Sequence, residues 1–383
     1  MKIIVIMIFI VCGLALVSAY IIRKKLHIWL PAYCINLLYF FYNLISGNNS
    51  NSQPNHICVL FVDHFELNGQ LHRQQAWFER YADLAKQHTD ADGCYPKHTF
   101  FYALDLLHEE ELAPLQKLVE AGHGEVELHW HHGHQTEQSF NQTLSEVMPI
   151  FQSYGFMKPY KTEQRACFAF IHGNWSLDNS RGNEFCGLNN EIDLLKQWGC
   201  YADFTFPALF QAAQPAYINC IRYAKDDAQP KSYRKAREAE VGKKSDVNEF
   251  MIFQGPLTIN WFDWRHKWHP TFEDADIHTH ATHADPKRIE AWLRQKIHVK
   301  GRPEWQFVKL FCHGAQDYAS VVGPATHEMW NYLEKNYNDG TKYVLHYVTA
   351  REAYNIVRAA EDGLTGNPNQ YRDYVIPHPN QRK

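Results

Sequence analysis

The chain has 383 residues, of which 45% are hydrophobic and 21% charged, and its formal net charge is −4. This composition excludes a disordered or fibrous protein, and the length allows one large α/β domain or two smaller ones. The slightly negative charge offers no attractive field for nucleic acid, so we predict no nucleic-acid partner. The nine cysteines form no CxxC pair, and several lie in apolar runs, which is typical of reduced, buried thiols.

The first segment of the chain is an uncharged apolar run over 3–22, about the 20 residues that a helix needs to cross a bilayer. A basic cluster at 23–25 follows it directly. We predict a retained transmembrane anchor with its basic flank over 1–25 and the soluble part on the cytoplasmic side, at the inner membrane if the protein is bacterial. A signal peptide cleaved near Ala19 is the alternative.

The second segment, over 28–45, is also uncharged but contains Pro31, Asn36 and several tyrosines. This mixture is typical of a helix that lies at a membrane interface. If the segment spans the membrane instead, the domain faces outward. Because an Asn- and Ser-rich linker follows, we assign 26–54 to an interfacial or second membrane segment and a linker.

Beyond residue 55, short β-rich apolar runs alternate with stretches of helical periodicity. This alternation predicts an α/β fold, and we favour a distorted (β/α) barrel of 7–8 strands over 55–362, preceded by the N-terminal transmembrane helix and followed by a polar tail over 363–383. A doubly wound open sheet is the alternative. The predicted strands are 56–62, 98–104, 125–130, 166–171, 200–206, 251–261, 306–312 and 343–348. The predicted helices are 70–88, 109–121, 140–153, 188–198, 285–297, 324–337 and 350–361.

Polar side chains concentrate where the predicted strands end. In a β/α barrel the active site lies at the carboxyl ends of the strands, so this concentration predicts a functional rim. A strand-end aspartate such as Asp105 or Asp203 can also serve as a helix cap. The residues at the rim are Asp63, His64, Glu66, Asp105, His129, His172, Asn174, Trp175, Asp203, Asp263 and His313.

The third predicted strand runs directly into four histidines, His129, His131, His132 and His134. Neutral imidazoles are common ligands of divalent metals, and the position at a strand end favours a metal site or a catalytic site. A chance cluster is the alternative, because the chain holds 23 histidines.

Three of these motifs together resemble those of the NodB-type polysaccharide deacetylases. They are Asp63-His64, the histidine run preceded by Glu120-Ala-Gly-His-Gly124, and His313 after Val308-Lys-Leu-Phe-Cys312. The resemblance covers roughly residues 56–350. The chain looks more similar to a divergent branch of the superfamily, which includes predicted deacetylases from surface-polysaccharide gene clusters. It implies a distorted β/α barrel, a divalent ion that is usually zinc, and removal of an acetyl group from a sugar.

The resemblance also implies roles for individual residues. Asp63 takes the position of the catalytic base and His313 that of the acid. His64 stands where the family has a metal-binding aspartate, and His129 is the first metal histidine. The second metal histidine of the family lies four residues later, where this chain has Gly133.

Zinc with three protein ligands would make water nucleophilic near neutral pH. His64, His129 and one of His131, His132 and His134 could supply the ligands, and we take His132 as the third. Neighbours on a strand point to opposite faces, so Asp63 and His64 share a site only if the strand has already ended.

The remaining rim residues are assigned to the substrate. Trp175 could stack on a sugar ring, and the others are expected to bind it through polar contacts. The predicted function is that of a membrane-anchored, metal-dependent deacetylase of a surface polysaccharide or its precursor. One alternative is a glycoside hydrolase with paired carboxylates, Asp63 with Glu66 or Asp203 with Asp263, and another is an inactive glycan-binding protein. The residues assigned to the substrate are His172, Asn174, Trp175, Asp203 and Asp263.

Overall fold

The computed structural model describes residues 2–46, 53–160, 165–261, 270–279 and 284–381. The helices are α1 (Lys2–Arg23), α2 (Leu30–Ser46), α3 (Leu71–Ala85), α4 (Leu112–Glu120), α5 (Glu137–Ser153), α6 (Glu191–Gln197), α7 (Pro286–Leu293), α8 (Tyr318–Val322), α9 (Pro324–Tyr337) and α10 (Ala350–Glu361). The strands are β1 (Asn55–Phe65), β2 (His98–Ala103), β3 (Gly124–Trp130), β4 (Phe168–His172), β5 (Cys200–Asp203), β6 (Ile221–Ala224), β7 (Arg237–Glu238), β8 (Phe250–Phe253), β9 (Thr258–Asn260), β10 (Thr271–Glu273), β11 (Asp276–Ile277), β12 (Trp305–Cys312) and β13 (Tyr343–Val348).

The strands form a mixed 11-stranded sheet, not the predicted barrel of 7–8 strands. The sheet has the order β11-β12-β1-β2-β3-β4-β5-β8-β6-β7, with β13 also paired to β1. The strands from β11 to β8 are parallel, whereas β6 and β7 are added antiparallel beyond β8. In the part of the chain that the structure describes, β7 and β11 end this order without pairing to each other. The prediction of a closed or nearly closed barrel is therefore wrong.

Strand β1 is the central strand of the sheet and pairs with three others. Its residues 56–63 pair with β12 along their whole length. Residues 55–60 also pair with β13, and residues 61–65 with β2. Strand β12 occupies one edge of β1. Strands β13 and β2 therefore share the other edge, β13 beside the first half of β1 and β2 beside the second half. Strand β1 therefore continues to Phe65, beyond the predicted end at residue 62.

Alternate side chains of the strands enter two separate hydrophobic clusters, one on each face of the sheet. On β1, Ile57 belongs to the first cluster and Cys58 to the second. The first cluster lies under α3, α4 and α5, whereas the second lies under α10. This alternation decides which polar side chains at the strand ends can meet.

The N-terminal segment packs on the domain. Trp29 and Tyr33 are buried beside Leu257, and the indole N–H of Trp261 donates a hydrogen bond of 2.6 Å to the Tyr33 hydroxyl. Within the described residues, no helix combines the length and the apolar character that crossing a membrane requires. The predictions of a transmembrane anchor over 1–25 and of a membrane localisation are therefore corrected. Trp29 and Tyr33, which as aromatic residues favoured a membrane interface, instead contact the domain.

Candidate functional site

The candidate site lies at the carboxyl edge of the parallel strands β1, β2, β3, β4 and β12. Polar residues at this edge divide between the two faces of the sheet. His64 and His129 follow the alternation of the second hydrophobic cluster, whereas Asp63 and His172 follow that of the first. Among the described residues, the side chains at this edge that could hold a metal ion include two sets that share Glu66, a set of His132, His172, Cys186 and Glu191, and a set of Asp63, His98 and Cys312.

The first group is centred on Glu66, just after β1. His129 Nε2 lies 3.1 Å and His131 Nε2 3.4 Å from Glu66 Oε1. The other nitrogen of each ring is held from behind, His129 Nδ1 by the Ile171 carbonyl at 3.2 Å and His131 Nδ1 by the Asp105 carboxylate at 3.2 Å. Metal-binding histidines characteristically have their second nitrogen held by such a carbonyl or carboxylate.

The hydrogen bonding of His129 favours a cation between its ring and Glu66. A neutral imidazole has one N–H, and the Ile171 carbonyl can only accept, so the proton belongs on Nδ1. The Nε2 lone pair then faces a carboxylate oxygen of Glu66. Either a protonated ring or a bound cation removes this conflict, and burial lowers the pKa of His129, which opposes the protonated ring.

His64 and His313 also lie beside Glu66, and the His64 ring centroid is 4.7 Å from that of His129. The ring centroids of His64 and His313 are 4.7 Å apart, and both rings contact Trp175, at 5.5 Å and 6.2 Å. The Nδ1 atom of His64 is buried and has no hydrogen-bond partner among the described residues. Together His64, Glu66 and His313 form a second set of side chains that could hold a metal ion.

The electrostatics of the group follow from burial and from these contacts. Burial, assisted by the neighbouring His313 and His129 rings, lowers the pKa of His64 well below its usual value. Burial alone would raise the pKa of Glu66, but the neighbouring His129 and His131 rings hold it well below its usual range. Burial would also lower the pKa of His131, but hydrogen bonds to Asp105 and Glu66 raise it to about 9. Without a bound metal, Glu66 is therefore an anion, His64 is neutral, and His131 carries a proton that a metal ion at its Nε2 would have to displace.

His132 and His172 belong to a second, fully buried group with Cys186 and Glu191. The His132 and His172 ring centroids are 4.4 Å apart, and His132 Nε2 lies 2.8 Å from Glu191 Oε1. The structure therefore does not place His132 beside His64 and His129, and His172 is closed off from a substrate. The position next to His129 in the Glu66 group is occupied by His131, which the sequence left as one of three choices.

Asp63 does not share a site with His64. Because β1 continues to Phe65, the Asp63 side chain points to the opposite face, where it is completely buried. Its carboxylate accepts the Gly314 N–H at 2.7 Å and contacts His98 Nε2 at 2.8 Å. A Cβ on Gly314 would come within 2.3 Å of this carboxylate. Asp63 thus joins the ends of β1 and β12, and it is not positioned as the predicted base.

Replacement of Asp63 by Ala is expected to destabilise the protein by about 1–3 kcal/mol, because the buried Gly314 N–H and His98 ring would lose their partner. The metal content of the Glu66 group is expected to stay unchanged. Denaturant unfolding and metal analysis of the variant test both statements. A variant with wild-type stability would contradict this structural role.

The other residues predicted to bind substrate have different positions. Trp175 faces the first group, as described above. Asn174 donates to the carbonyl of His132 at 2.9 Å and so connects two loops. Asp203 is completely buried and accepts a hydrogen bond of 2.6 Å from the Thr205 hydroxyl. Asp263 lies outside the described residues.

Sequence reasoning did not assign Glu66, Asp105, Cys186 or Glu191 to a metal site. Glu66 and Asp105 were identifiable, since each closely follows a predicted strand. Cys186 and Glu191 carried no signal, because they lie in and just after an irregular segment that joins β4 to α6. Their proximity to His132 is produced by the fold alone.

Comparisons with known proteins are sparse. No protein-family model matches the chain, and no curated protein shows significant similarity to it. Among solved structures, the chain is similar to a GH57 branching enzyme of the archaeon Thermococcus kodakaraensis, crystallised with glucose. The identity is 10% and the TM-score 0.37, over 82% of this chain and 72% of that enzyme.

The predicted membership of the NodB-type deacetylases is corrected by the positions of the motif residues. Asp63 faces the core, and His132 lies on the face of the sheet opposite His64 and His129, so the residues that carried the resemblance do not form one site.

Proposed function

We propose that the chain is a metal-dependent hydrolase that acts on a carbohydrate, with zinc bound by Glu66, His129 and His131. One observation carries the proposal. Two imidazole nitrogens converge on one partly buried carboxylate, and each ring is fixed from behind by an acceptor, Ile171 or Asp105. This arrangement supplies a first set of ligands together with the groups that orient them.

The ligand set suits a catalytic zinc more than a structural one. Two histidines and one glutamate are a known catalytic combination, and three protein ligands leave a position for water. A zinc ion bound there would lower the pKa of that water to about 7. The neighbouring His64 and His313 can then hold or deliver a proton at their ring nitrogens.

The carbohydrate substrate is proposed from Trp175. Its indole ring lies beside His64 and His313, and the side chain is partly exposed. An aromatic face at the edge of a polar site can pack against the apolar face of a sugar ring. The reacting bond would then lie between Trp175 and the Glu66 group.

The test is an assay of the full-length chain on a panel of polysaccharides and oligosaccharides. Hydrolysis is expected to be lost after chelation and restored by zinc. His131→Ala is expected to reduce the rate by about 100-fold or more, at the upper end of what loss of metal-orienting groups costs. His134→Ala is the matched control, because His134 is an exposed member of the same histidine run. It is expected to retain wild-type activity.

Two outcomes would contradict the proposal. Hydrolysis that survives both chelation and His131→Ala rejects the role of the metal. A zinc-loaded protein that hydrolyses no carbohydrate in the panel rejects the substrate class.

A second candidate function is a glycoside hydrolase that uses Glu66 and Asp105 as its carboxylate pair. It is favoured by one observation: both carboxylates contact the same His131 ring at the rim. The pairs predicted from the sequence are less suitable, since Asp63 and Asp203 are completely buried. In this case hydrolysis would be insensitive to chelation but lost in both Glu66→Gln and Asp105→Asn.

A further inference from the structure

A second metal site is indicated on the opposite face of the sheet from Glu66. The side chains of His132, His172, Cys186 and Glu191 converge there, and each is at most 5% exposed. His132 follows β3, His172 ends β4, and Glu191 begins α6, so three separate elements supply them. We propose that these four side chains bind a structural zinc ion.

Two of the three distances between donor atoms match those of a tetrahedral ion, and the third, between Glu191 and His132, is shorter. Glu191 Oε1 lies 2.8 Å from His132 Nε2 and 3.7 Å from His172 Nε2, and Glu191 Oε2 lies 3.5 Å from Cys186 Sγ. Zinc bonds of about 2.0–2.3 Å in a tetrahedron place neighbouring ligand atoms roughly 3.3–3.8 Å apart. Small movements of the side chains would therefore be enough to bind the ion.

Hydrogen bonding within the protein satisfies only part of the group. Glu191 accepts the Asp178 N–H at 2.6 Å and contacts His132 Nε2 at 2.8 Å. His172 Nε2 and His132 Nδ1 are buried and have no hydrogen-bond partner among the described residues, whereas buried polar atoms in native proteins are nearly always paired. A metal ion bound at His172 Nε2 would account for that nitrogen; it would place the ring proton on Nδ1, so the contact of Nδ1 with the Asn174 N–H at 3.3 Å would have to open.

Charge balance also favours a divalent cation. Glu191 is completely buried, and in the described part of the chain its ion-pair contacts are with His132 and His172 and involve no lysine or arginine. Burial of an uncompensated carboxylate is strongly unfavourable. One Zn²⁺ with a glutamate, a cysteine thiolate and two neutral histidines forms a neutral unit.

The site would stabilise the irregular segment 173–190. This segment contains non-glycine residues with positive φ, including Trp175 at 47° and Asp178 at 55°. Such conformations persist only where surrounding contacts enforce them. Because Trp175 lies three residues after His172, the ion would also fix the aromatic ring that faces the Glu66 group.

The experiment detects the Cys186 thiolate as a metal ligand, because the Glu66 group contains no cysteine. Full-length protein is purified with zinc and examined by X-ray absorption at the zinc edge. A sulfur neighbour at about 2.3 Å is expected. In a second preparation loaded with cobalt(II), a sulfur-to-cobalt charge-transfer band is expected in the near ultraviolet.

Variants assign the signals to one site. Cys186→Ala is expected to lose the band and to bind about one zinc ion per chain where the wild type binds about two. Cys200→Ala is the matched control, because Cys200 is another buried free thiol and its Sγ donates to the Ala202 carbonyl at 3.5 Å. Glu66→Gln is expected to retain the band, so failure of the proposed catalytic site and failure of this site are distinguishable.

Zinc spectra of the wild type without a sulfur neighbour would overturn the proposal, and this result does not depend on any variant folding. A cobalt band that survives Cys186→Ala would overturn it as well.

Discussion

Replacing Glu66 by Gln is expected to weaken metal binding at the Glu66 group by more than about 100-fold. The reason is that Glu66 is common to both sets of side chains on this face, one with His129 and His131 and one with His64 and His313. Loss of an outer group that only orients a ligand already costs about 10–100-fold in metal affinity. The amide keeps the shape of the side chain but removes its negative charge. Competition of the purified protein with a chelator of known affinity measures the effect.

Asp105→Asn provides a graded control for this experiment. The Asp105 carboxylate contacts Nδ1 of His131, the ring nitrogen that faces away from Glu66, and accepts the backbone N–H of His131. It is not a ligand of the proposed ion. Its replacement is expected to weaken binding by about 10–100-fold, less than Glu66→Gln. If Asp105→Asn had the larger effect, or if Glu66→Gln bound metal as the wild type does, the assignment of Glu66 as a ligand would be rejected.

The location of the site was predictable, because strand ends can be found from apolar runs. The predicted strand 343–348 and helix 350–361 coincide with β13 and α10. Parallel strands of this kind place their carboxyl ends along one edge of a sheet. The histidines that end or follow these strands are therefore expected at that edge.

Which side chains meet was harder to predict, because it depends on the residue at which each strand ends. Strand alternation separates Asp63 from His64. The sequence pattern predicted that β1 ends at residue 62, three residues too early. With that end, Asp63 and His64 would lie outside the strand, and both side chains could reach one site. Beyond Trp130, where β3 has ended, alternation no longer decides between His131 and His132, and only contacts with Asp105 and Glu191 do.

The architecture of the sheet could not be predicted for a different reason. The short strands β6, β7 and β11 have two to four residues, too few to show a period of two. Their pairing is decided by neighbours distant in sequence, such as β6 with β8. These additions turn the edge beyond β8 antiparallel. The predicted strand 251–261 also divides into β8 and β9, and β9 pairs with β10 in a separate antiparallel sheet. Eight predicted strands alternating with helices therefore do not imply a barrel.

Arg351→Met is expected to destabilise the protein by about 3–5 kcal/mol. Arg351 is 1% exposed and forms two hydrogen bonds of 2.8 Å to the carboxylate of Glu125 on β3. It also donates to Asp373 at 2.6 Å and to the Ile376 carbonyl at 2.7 Å, which attaches the C-terminal residues to the sheet. Methionine fills similar space but leaves Glu125 as a buried, unpaired charge. Urea unfolding measures the loss, and faster proteolysis after residue 363 is expected with it.

Two further variants separate the buried charge from a general effect of losing an arginine. Arg294→Met removes a surface ion pair with Glu290, 3.8 Å long and with the arginine side chain 40% exposed, and is expected to cost less than about 1 kcal/mol. Addition of Glu125→Gln to Arg351→Met is expected to recover part of the stability, because the unpaired charge is then gone. If the double variant were less stable than Arg351→Met by the full cost of Glu125→Gln alone, the two side chains would not be coupled. The attachment of the C-terminal residues would then have to rest on Asn355, whose side-chain amide donates to the carbonyls of Arg372 and Ile376.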